Sequence, residues 1–323
     1  LIGMGGSSLG AKAIYSFLNY KIKKKFNFLD NLKTQKNKHT QKKQLNIVIS
    51  KSGNTLETIA NLNTQKSIKN SIFITENNNN YLRNIANEMK KEIFEHRDYI
   101  GGRYSVLSET GMLPAFLMGL DYIKLKRLNY LIKDKNFQNK LINNVSSILD
   151  FHNKKKTNSI ILNYDPNSQD LFSWYQQLAA ESLGKKSKGI LPIISIMPKD
   201  NHSLMQLYLD GNKNNFFTFF RVENRNSKKI NKKYLTNSHS YLKNKKINDI
   251  LKAQFEATQN VFKKKKIPFR SFVIKRRDEK TLGELFCFFI LETIMIGKAL
   301  KIDPFNQPEV ELIKKETYKI LKS

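Results

Sequence analysis

The sequence contains very little cysteine. Cys287 is the one cysteine among 323 residues, so no internal disulfide can form. This composition fits a protein of a reducing compartment, where thiols stay reduced. Cys287 lies in the apolar run 285–289, a setting that is typical of a buried core thiol rather than of a nucleophile.

Acidic residues are also scarce, and 27 Asp and Glu against 57 Lys and Arg give a formal net charge of +30. Such an excess is typical of proteins that bind nucleic acid or an anionic surface. Here the lysines are scattered among apolar segments, as an AT-rich genome would encode, and no helix-turn-helix, zinc-finger or RNA-recognition signature accompanies them. We therefore expect no nucleic-acid partner, although a positive field can still attract an anionic substrate.

Long hydrophobic runs are missing as well. The longest apolar stretch, 282–300, is interrupted by Glu284, Glu292 and Lys298, so it predicts a core helix rather than a membrane span. No secretory signal is recognisable, and we expect a cytoplasmic protein without a membrane partner. The apolar start without a methionine is interpreted as the stump of a strand, with a preceding segment missing.

What the sequence does contain is a regular alternation of strand and helix signals. A length of 323 residues with 40% hydrophobic residues favours two domains with sizeable cores. Short apolar strands at 45–50, 71–75, 159–162, 190–197 and 216–222 alternate with helical segments. The alternation predicts an α/β fold with two similar units in tandem, each a parallel sheet covered by helices.

Two loops follow predicted strands and precede predicted helices. In loop 3–10, glycines would let backbone N–H groups approach an anion at a helix start, although a plain strand–helix turn has the same pattern. In loop 50–58, Ser50, Ser52 and Thr55 supply hydroxyls at the carboxyl end of a strand, where open α/β sheets bind ligands. The Gly-Lys-Ser/Thr pattern of a nucleotide-binding P-loop is absent. This second loop predicts a phosphate cradle without a metal; a serine-rich helix cap is the alternative.

The helix predicted over 167–184 carries a carboxylate on an apolar stripe. Leu171, Trp174, Leu178 and Glu181 recur at helical spacing, and Glu181 falls in the last turn. Burial and the helix dipole both disfavour an ionised carboxylate there, which suits a group that accepts a proton. The alternative is a carboxylate whose head reaches solvent beyond the helix end.

A histidine follows a possible helix cap in the second half of the chain. Asp200 and Asn201 can cap a helix that runs to residue 210, which would put His202 in its first turn. The dipole would favour a neutral imidazole there, able to accept a proton. A histidine that merely starts a helix is the alternative.

The last helix is predicted to begin at Asn306, with Glu309 as its capping-box partner. One stripe of this helix then contains Val310, Lys314 and Leu321, which puts Lys314 on a packed face. A snorkelling lysine is the alternative to a functional one.

Six segments, taken together and in order, resemble the signatures of the phosphoglucose isomerase family. They are 3–10, 50–58, 101–105, 174–184, 201–211 and 305–314. The resemblance implies two sugar-isomerase (SIS) domains, each a doubly wound parallel sheet in a three-layer αβα arrangement. The first would span 1–135 and lack its N-terminal part, the second 136–305, and the helix 306–323 would complete the site.

The resemblance also implies a reaction, namely the interconversion of glucose 6-phosphate and fructose 6-phosphate through ring opening and a cis-enediolate. Glu181 would be the base, Arg103 would stabilise the enediolate, and His202 and Lys314 would assist ring opening. The implied substrate and phosphate contacts are Gly6, Ser7, Ser50, Lys51, Ser52, Thr55, Gln177 and Gln307. No metal or cofactor is implied, and His202 would enter the site of the partner subunit in a homodimer.

Four residues depart from the family pattern. Asn54 replaces a hydroxyl residue in the phosphate loop, Asn306 an aspartate, and Glu309 and Ile313 replace glycines. Two further functions stay open: an SIS isomerase of another sugar phosphate, and a non-catalytic sugar-phosphate-binding protein. The second would lose Glu181 or Arg103, and both are present.

Overall fold

The computed structural model describes residues 1–32, 44–223 and 227–323. The first part of the chain forms a parallel sheet and five helices. These elements are α1 (Leu9–Phe17), β1 (Asn46–Ile49), α2 (Leu56–Asn63), β2 (Ser71–Thr75), α3 (Tyr81–Glu88), β3 (Ile93–Glu95), α4 (Glu109–Leu117) and α5 (Tyr122–Lys126).

The first sheet has the order β1-β2-β3, and Ile2 extends it beyond β1. Ile2 forms parallel bridges to both Val48 of β1 and Leu29, so the predicted strand stump at the start of the chain is a single bridging residue. In chain order the sheet therefore reads 2-1-3-4-5. The direction of winding reverses between Ile2 and β1, and a crevice opens at such a switch point outside the carboxyl ends of the strands.

The second part of the chain repeats this arrangement. Its elements are α6 (Lys135–Asn153), β4 (Asn158–Asn163), α7 (Gln169–Leu183), β5 (Leu191–Ile196), α8 (Met205–Asp210), β6 (Asn215–Val222), α9 (Ile247–Lys264), β7 (Phe269–Ile274), α10 (Glu279–Ala299) and α11 (Val310–Lys322). The strand order is β5-β4-β6-β7, and every pairing is parallel. All eight residues of β6 are buried, as expected of a central strand covered on both faces. The predicted α/β fold with two parallel sheets is confirmed.

The two units share one hydrophobic core. Phe17 of α1, Trp174 of α7 and Phe286 of α10 are fully buried in the same cluster. Trp174 and Phe286 meet edge to face at a ring distance of 4.8 Å. Cys287 is half-buried, and burial raises the pKa of its thiol. The helices that carry the site residues are thus held by common packing across the two sheets.

The C-terminal helix differs from the prediction. It begins at Val310 rather than Asn306, and the Glu309 side chain makes no capping hydrogen bond. Pro308 explains the later start, because the residue before a proline is pushed out of the helical region. Gln307 is therefore excluded from the helix. The packed face predicted for Lys314 is also wrong, because none of the residues of α11, all of them described, is buried.

Candidate active site

The glycine loop lies at the switch point of the first sheet and touches the segment that carries Arg103. A Cβ added to Gly6 would lie 2.3 Å from the carbonyl carbon of Gly102, so only glycine permits this approach. Ser7 ends a 3₁₀ turn in the same loop and is buried. The predicted segments 3–10 and 101–105 are thereby brought together.

The phosphate loop is shaped by its own side chains. Ser50 is buried at the end of β1, and its Oγ lies 2.8 Å from Thr55 Oγ1. Gly53 has a φ of +65°, and a Cβ there would lie 1.8 Å from the Asn80 side-chain oxygen. Ser52 is exposed, and its Oγ accepts a hydrogen bond from the Asn54 N–H. Ser50, Ser52 and Thr55 thus share one turn ahead of α2.

Lys51 points away from this turn. Its Nζ donates to the carbonyl oxygen of Asp98 at 2.7 Å and lies 3.5 Å from Glu76. His96 lies near Lys51 and is buried directly after β3. It was not predicted as a site residue, because the pattern around it is that of a strand end. Its Nδ1 lies 3.2 Å from the Arg97 carbonyl oxygen, and its Nε2 has no hydrogen-bond partner among the described atoms. Burial lowers the pKa of this imidazole.

Glu181 lies in the last turn of α7, as predicted, but not in an apolar setting. Its side chain is 28% exposed, and Arg103 Nη1 lies 3.3 Å from Oε2. Gln177, one turn earlier, donates from Nε2 to Oε1 at 2.8 Å. The remaining Gln177 oxygen is buried without a partner among the described atoms. An unsatisfied acceptor therefore lies beside the carboxylate.

Arg103 is the centre of the site. It is 4% exposed, and all five of its N–H groups donate to acceptors. The acceptors and distances are Ser182 Oγ at 2.8 Å, Glu181 Oε2 at 3.3 Å, Gln307 Oε1 at 2.6 Å, Pro304 O at 2.7 Å and Asn306 O at 3.0 Å. The guanidinium thus joins the end of α7 to the segment between α10 and α11.

Ser182 and Tyr104 were not predicted as site residues. Arg103 Nε donates to Ser182 Oγ, which lies 2.8 Å from the Tyr104 hydroxyl, and that hydroxyl donates to Pro304 O at 3.0 Å. Such a chain of hydrogen bonds strengthens its members and fixes their geometry. Their contacts join residues that are about 80 and 200 positions apart in the sequence. Local sequence patterns cannot predict contacts between residues so far apart.

His202 and Lys314 stand apart from this centre. His202 is exposed and ends the 3₁₀ turn Lys199–His202, so its predicted place in the first turn of α8 is wrong. The turn is held by Asp200, whose carboxylate accepts from the Ile196 N–H at 2.7 Å. Lys314 pairs with Glu311 at 2.7 Å. In the described ranges neither residue forms a hydrogen bond or ion pair with Glu181 or Arg103.

Two kinds of feature are absent from the described residues. No group of three or more His, Cys, Asp or Glu side chains is placed to hold a metal ion. In residues 1–32, 44–223 and 227–323, no helix combines the length and apolarity needed to cross a membrane.

The whole arrangement combines a hydroxyl-lined turn with a carboxylate held next to a guanidinium. A carboxylate can remove a proton from a carbon next to a carbonyl, and a fixed cation can stabilise the oxyanion that forms. Hydroxyls and free N–H groups at a helix start suit a phosphate.

Comparison with known proteins gives concordant matches. The profile of the family described as Phosphoglucose isomerase matches residues 1–323. A glucose-6-phosphate isomerase of Mycoplasmopsis pulmonis (strain UAB CTIP) is 36% identical, over 99% of this chain and 82% of that protein.

Two solved structures are also similar. A hypothetical protein from Thermus thermophilus superposes with a TM-score of 0.91 at 25% identity, over 100% of this chain and 83% of that chain. A glucose-6-phosphate isomerase from Chlamydia trachomatis D/UW-3/Cx has a TM-score of 0.80 at 20% identity, over 99% of this chain and 69% of that chain, and shares the fold.

Proposed function

The chain belongs to the phosphoglucose isomerase family, and we propose that Glu181 and Arg103 perform the chemistry of its reaction. The protein is an isomerase that interconverts glucose 6-phosphate and fructose 6-phosphate. This reaction moves a proton between carbons 1 and 2 of the open-chain sugar. It needs a base at those carbons and a cation at their oxygens.

Glu181 removes the proton from one carbon and returns it to the other. Gln177 holds one carboxylate oxygen at 2.8 Å, and its own unpaired oxygen, which is buried in the free protein, turns to a sugar hydroxyl when the substrate binds. Partial exposure lets the carboxylate meet substrate, while the hydrogen bond fixes its direction. Removal of the proton gives a cis-enediolate intermediate with negative charge on the sugar oxygens, and return of the proton to the other carbon gives the product.

Arg103 stabilises that charge. Because all five N–H groups have acceptors, the enediolate oxygen must replace one of them at Nη1, which serves Glu181 and Gln307. The bond to Glu181 is the longest of the five, at 3.3 Å, and is the easiest to exchange. Gln307 Oε1 keeps its bond to Nη1, and the side-chain NH2 group of Gln307 contacts the substrate.

The phosphate group binds in the turn at the end of β1. Ser50, Ser52 and Thr55 donate hydroxyls there, and the first N–H groups of α2 point into the same turn. The Lys51 main chain, Gly6 and Ser7 complete the contacts. The Lys51 ammonium is held by Asp98 and Glu76, so its charge acts from a distance.

Ring opening uses His202 and Lys314, and His202 serves the partner subunit in a homodimer. Two features support this arrangement: His202 is exposed, and it forms no bond to Glu181 or Arg103 among the described residues. The protein acts in the cytoplasm, without a cofactor, membrane or nucleic-acid partner.

The Glu181–Arg103–Gln177 cluster is the observation that carries the proposal, and Glu181→Gln tests it. The variant keeps the shape of the site but removes the base, so kcat should fall by about 10²- to 10⁴-fold. Binding of fructose 6-phosphate should be retained. A coupled assay and a binding titration on the same preparation measure both quantities, and a normal kcat would refute the role of Glu181.

Mixing variants tests the shared site. Glu181→Gln and His202→Ala should each be nearly inactive alone. After co-expression, each mixed dimer contains one intact site, so activity should return to about one quarter of the wild-type value. Activity that stays at the level of the single variants would place His202 in its own subunit's site.

A further inference from the structure

The position of Arg103 depends on a segment without regular secondary structure. Residues 303–307, called here the clamp segment, follow α10 and precede α11. Three of the five acceptors of Arg103 lie in it: Pro304 O, Asn306 O and Gln307 Oε1. A shift of the clamp segment would therefore move the guanidinium relative to Glu181.

Besides Arg103, the clamp segment is contacted by Tyr104 and by Lys298 of α10, whose ammonium lies 6.0 Å from the centre of the Phe305 ring. Pro304 is buried, but Phe305 and Asn306 are exposed. The Tyr104 hydroxyl donates to Pro304 O at 3.0 Å, and its ring lies 5.5 Å from that of Phe305. An irregular segment with so little buried surface needs further fixation to keep a guanidinium in place.

Lys185 supplies this fixation from the helix that carries the base. Its Nζ donates to the Asp303 carbonyl oxygen at 2.7 Å and to the Ser182 carbonyl oxygen at 3.0 Å. Ser182 O belongs to the last turn of α7, where carbonyls lack partners within the helix and the dipole favours a cation. One ammonium thus joins the end of α7 to the start of the clamp segment.

The electrostatic setting of Lys185 agrees with this position. Burial lowers the pKa of its ammonium, and the charge of Arg103 lowers it further. Two cations are held close together there, each on main-chain carbonyls of the same segment. The carbonyl oxygens that accept from Arg103 and Lys185 offset the repulsion between these two cations.

We propose that Lys185 is a positioning residue for the isomerisation: by joining Asp303 to the end of α7, it fixes the clamp segment and so the placement of Arg103 relative to Glu181. The inference rests on the roles proposed for Arg103 and Glu181. Lys185 makes no contact with the phosphate turn through any hydrogen bond of the described residues, so its effect falls on turnover rather than on phosphate binding.

Lys185→Met tests the proposal, with Lys185→Arg and Lys186→Met as matched variants. Misplacing a catalytic group by about 1 Å costs up to about 10²-fold, so kcat of Lys185→Met should fall by about 10- to 100-fold, with KM for fructose 6-phosphate within about threefold. Arginine can still donate to both carbonyls and should restore most of kcat. Lys186 is exposed one residue away, and its variant should match the wild type.

A double-mutant cycle separates positioning from a general loss of structure. In an Arg103→Lys background the clamp segment no longer orients a guanidinium, so Lys185→Met should lower kcat further by less than about threefold. If the fold-losses of kcat in the two single variants multiplied fully in the double variant, the proposal would be overturned. A normal kcat for Lys185→Met alone would overturn it as well. Thermal unfolding of each variant corrects for any unfolded fraction.

Glu181→Gln in the same assay distinguishes the two ways of failing. If it is inactive while Lys185→Met turns over normally, only the inference about Lys185 is wrong. If Glu181→Gln turns over normally, the proposed roles themselves are wrong, and the inference falls with them.

Discussion

The two sheets have the same winding, but their switch-point crevices contain opposite chemistry. In the first, glycines and hydroxyls border the crevice, with Gly6 on one side and Ser50 and Thr55 on the other. In the second, the loop after β4 presents the carboxylate of Asp165, and Arg277, from the segment after β7, is bound to it. One crevice suits a phosphate, whereas an ion pair occupies the other.

The second crevice is used to join the two units. Arg277 donates to Asp165 and to the Phe17 carbonyl oxygen at 3.2 Å, and its guanidinium lies 4.7 Å from the centre of the Phe17 ring. Ser168 donates to the other oxygen of Asp165. Phe17 ends α1 of the first unit, so the ion pair connects that helix to the second sheet. The same position in two related sheets therefore contains the proposed phosphate site in one and a contact between the two units in the other.

Arg277→Met should remove the ion pair with Asp165 in the second crevice and give the largest effect on stability. Asp165 is 8% exposed, and losing its cation leaves a buried charge unpaired, which costs on the order of 3 kcal/mol. Urea unfolding at pH 7 measures this loss. The neighbouring Arg276→Met is the matched control, because Arg276 is exposed.

KM for fructose 6-phosphate should not change in Arg277→Met, since the proposed phosphate site lies in the first crevice. A raised KM would show that the second crevice does not have a purely structural role. An equal loss of stability in both variants would show that the Arg277–Asp165 pair does not contribute the expected stability.

Ser50→Ala combined with Thr55→Val should give the next largest effect, in the opposite crevice. Each hydroxyl that donates to a charged phosphate contributes at least about 1.5 kcal/mol, so losing both should raise KM for fructose 6-phosphate by on the order of 100-fold. Thr55 is the N-cap of α2 but makes no side-chain capping bond, so the helix should not be weakened. Steady-state kinetics and a melting temperature measure the two effects, and an unchanged KM would move the phosphate site elsewhere.

Local patterns predicted much of this site. The turn at Ser50 follows a short apolar strand, and α7 spans Gln169–Leu183, close to the helix read from the spacing around Glu181. Both depend on residues that are near in sequence, where periodicity and turn chemistry act. The start of the last helix was mispredicted because the capping pattern at Asn306 outweighed Pro308, although the restriction before proline is the stronger steric effect.

Long-range contacts explain what the sequence could not show. Lys185 and Arg103 act on carbonyl oxygens of residues 303 and 304, and every residue presents the same carbonyl. The Arg277–Asp165 pair likewise joins positions 112 residues apart. Such contacts depend on how the units pack, which is not encoded in any local spacing.

The smallest expected effect is the change in acid sensitivity on replacing His96, which lies at the edge of the first sheet. Lys51, Glu76 and Glu109 are the charged groups around its buried ring, and burial lowers its pKa from the ordinary value of 6.5. Well above pH 6.5 the imidazole is neutral in both the folded and the unfolded protein. Below pH 6.5 the unfolded chain binds a proton more readily than the folded chain does. The free energy of unfolding therefore decreases as the pH falls through the folded pKa. Urea unfolding between pH 7.5 and 5 should show a smaller loss of stability in His96→Leu than in the wild type. The exposed His239→Leu should follow the wild type, and parallel curves for all three proteins would exclude His96 as a source of acid sensitivity at the edge of the first sheet.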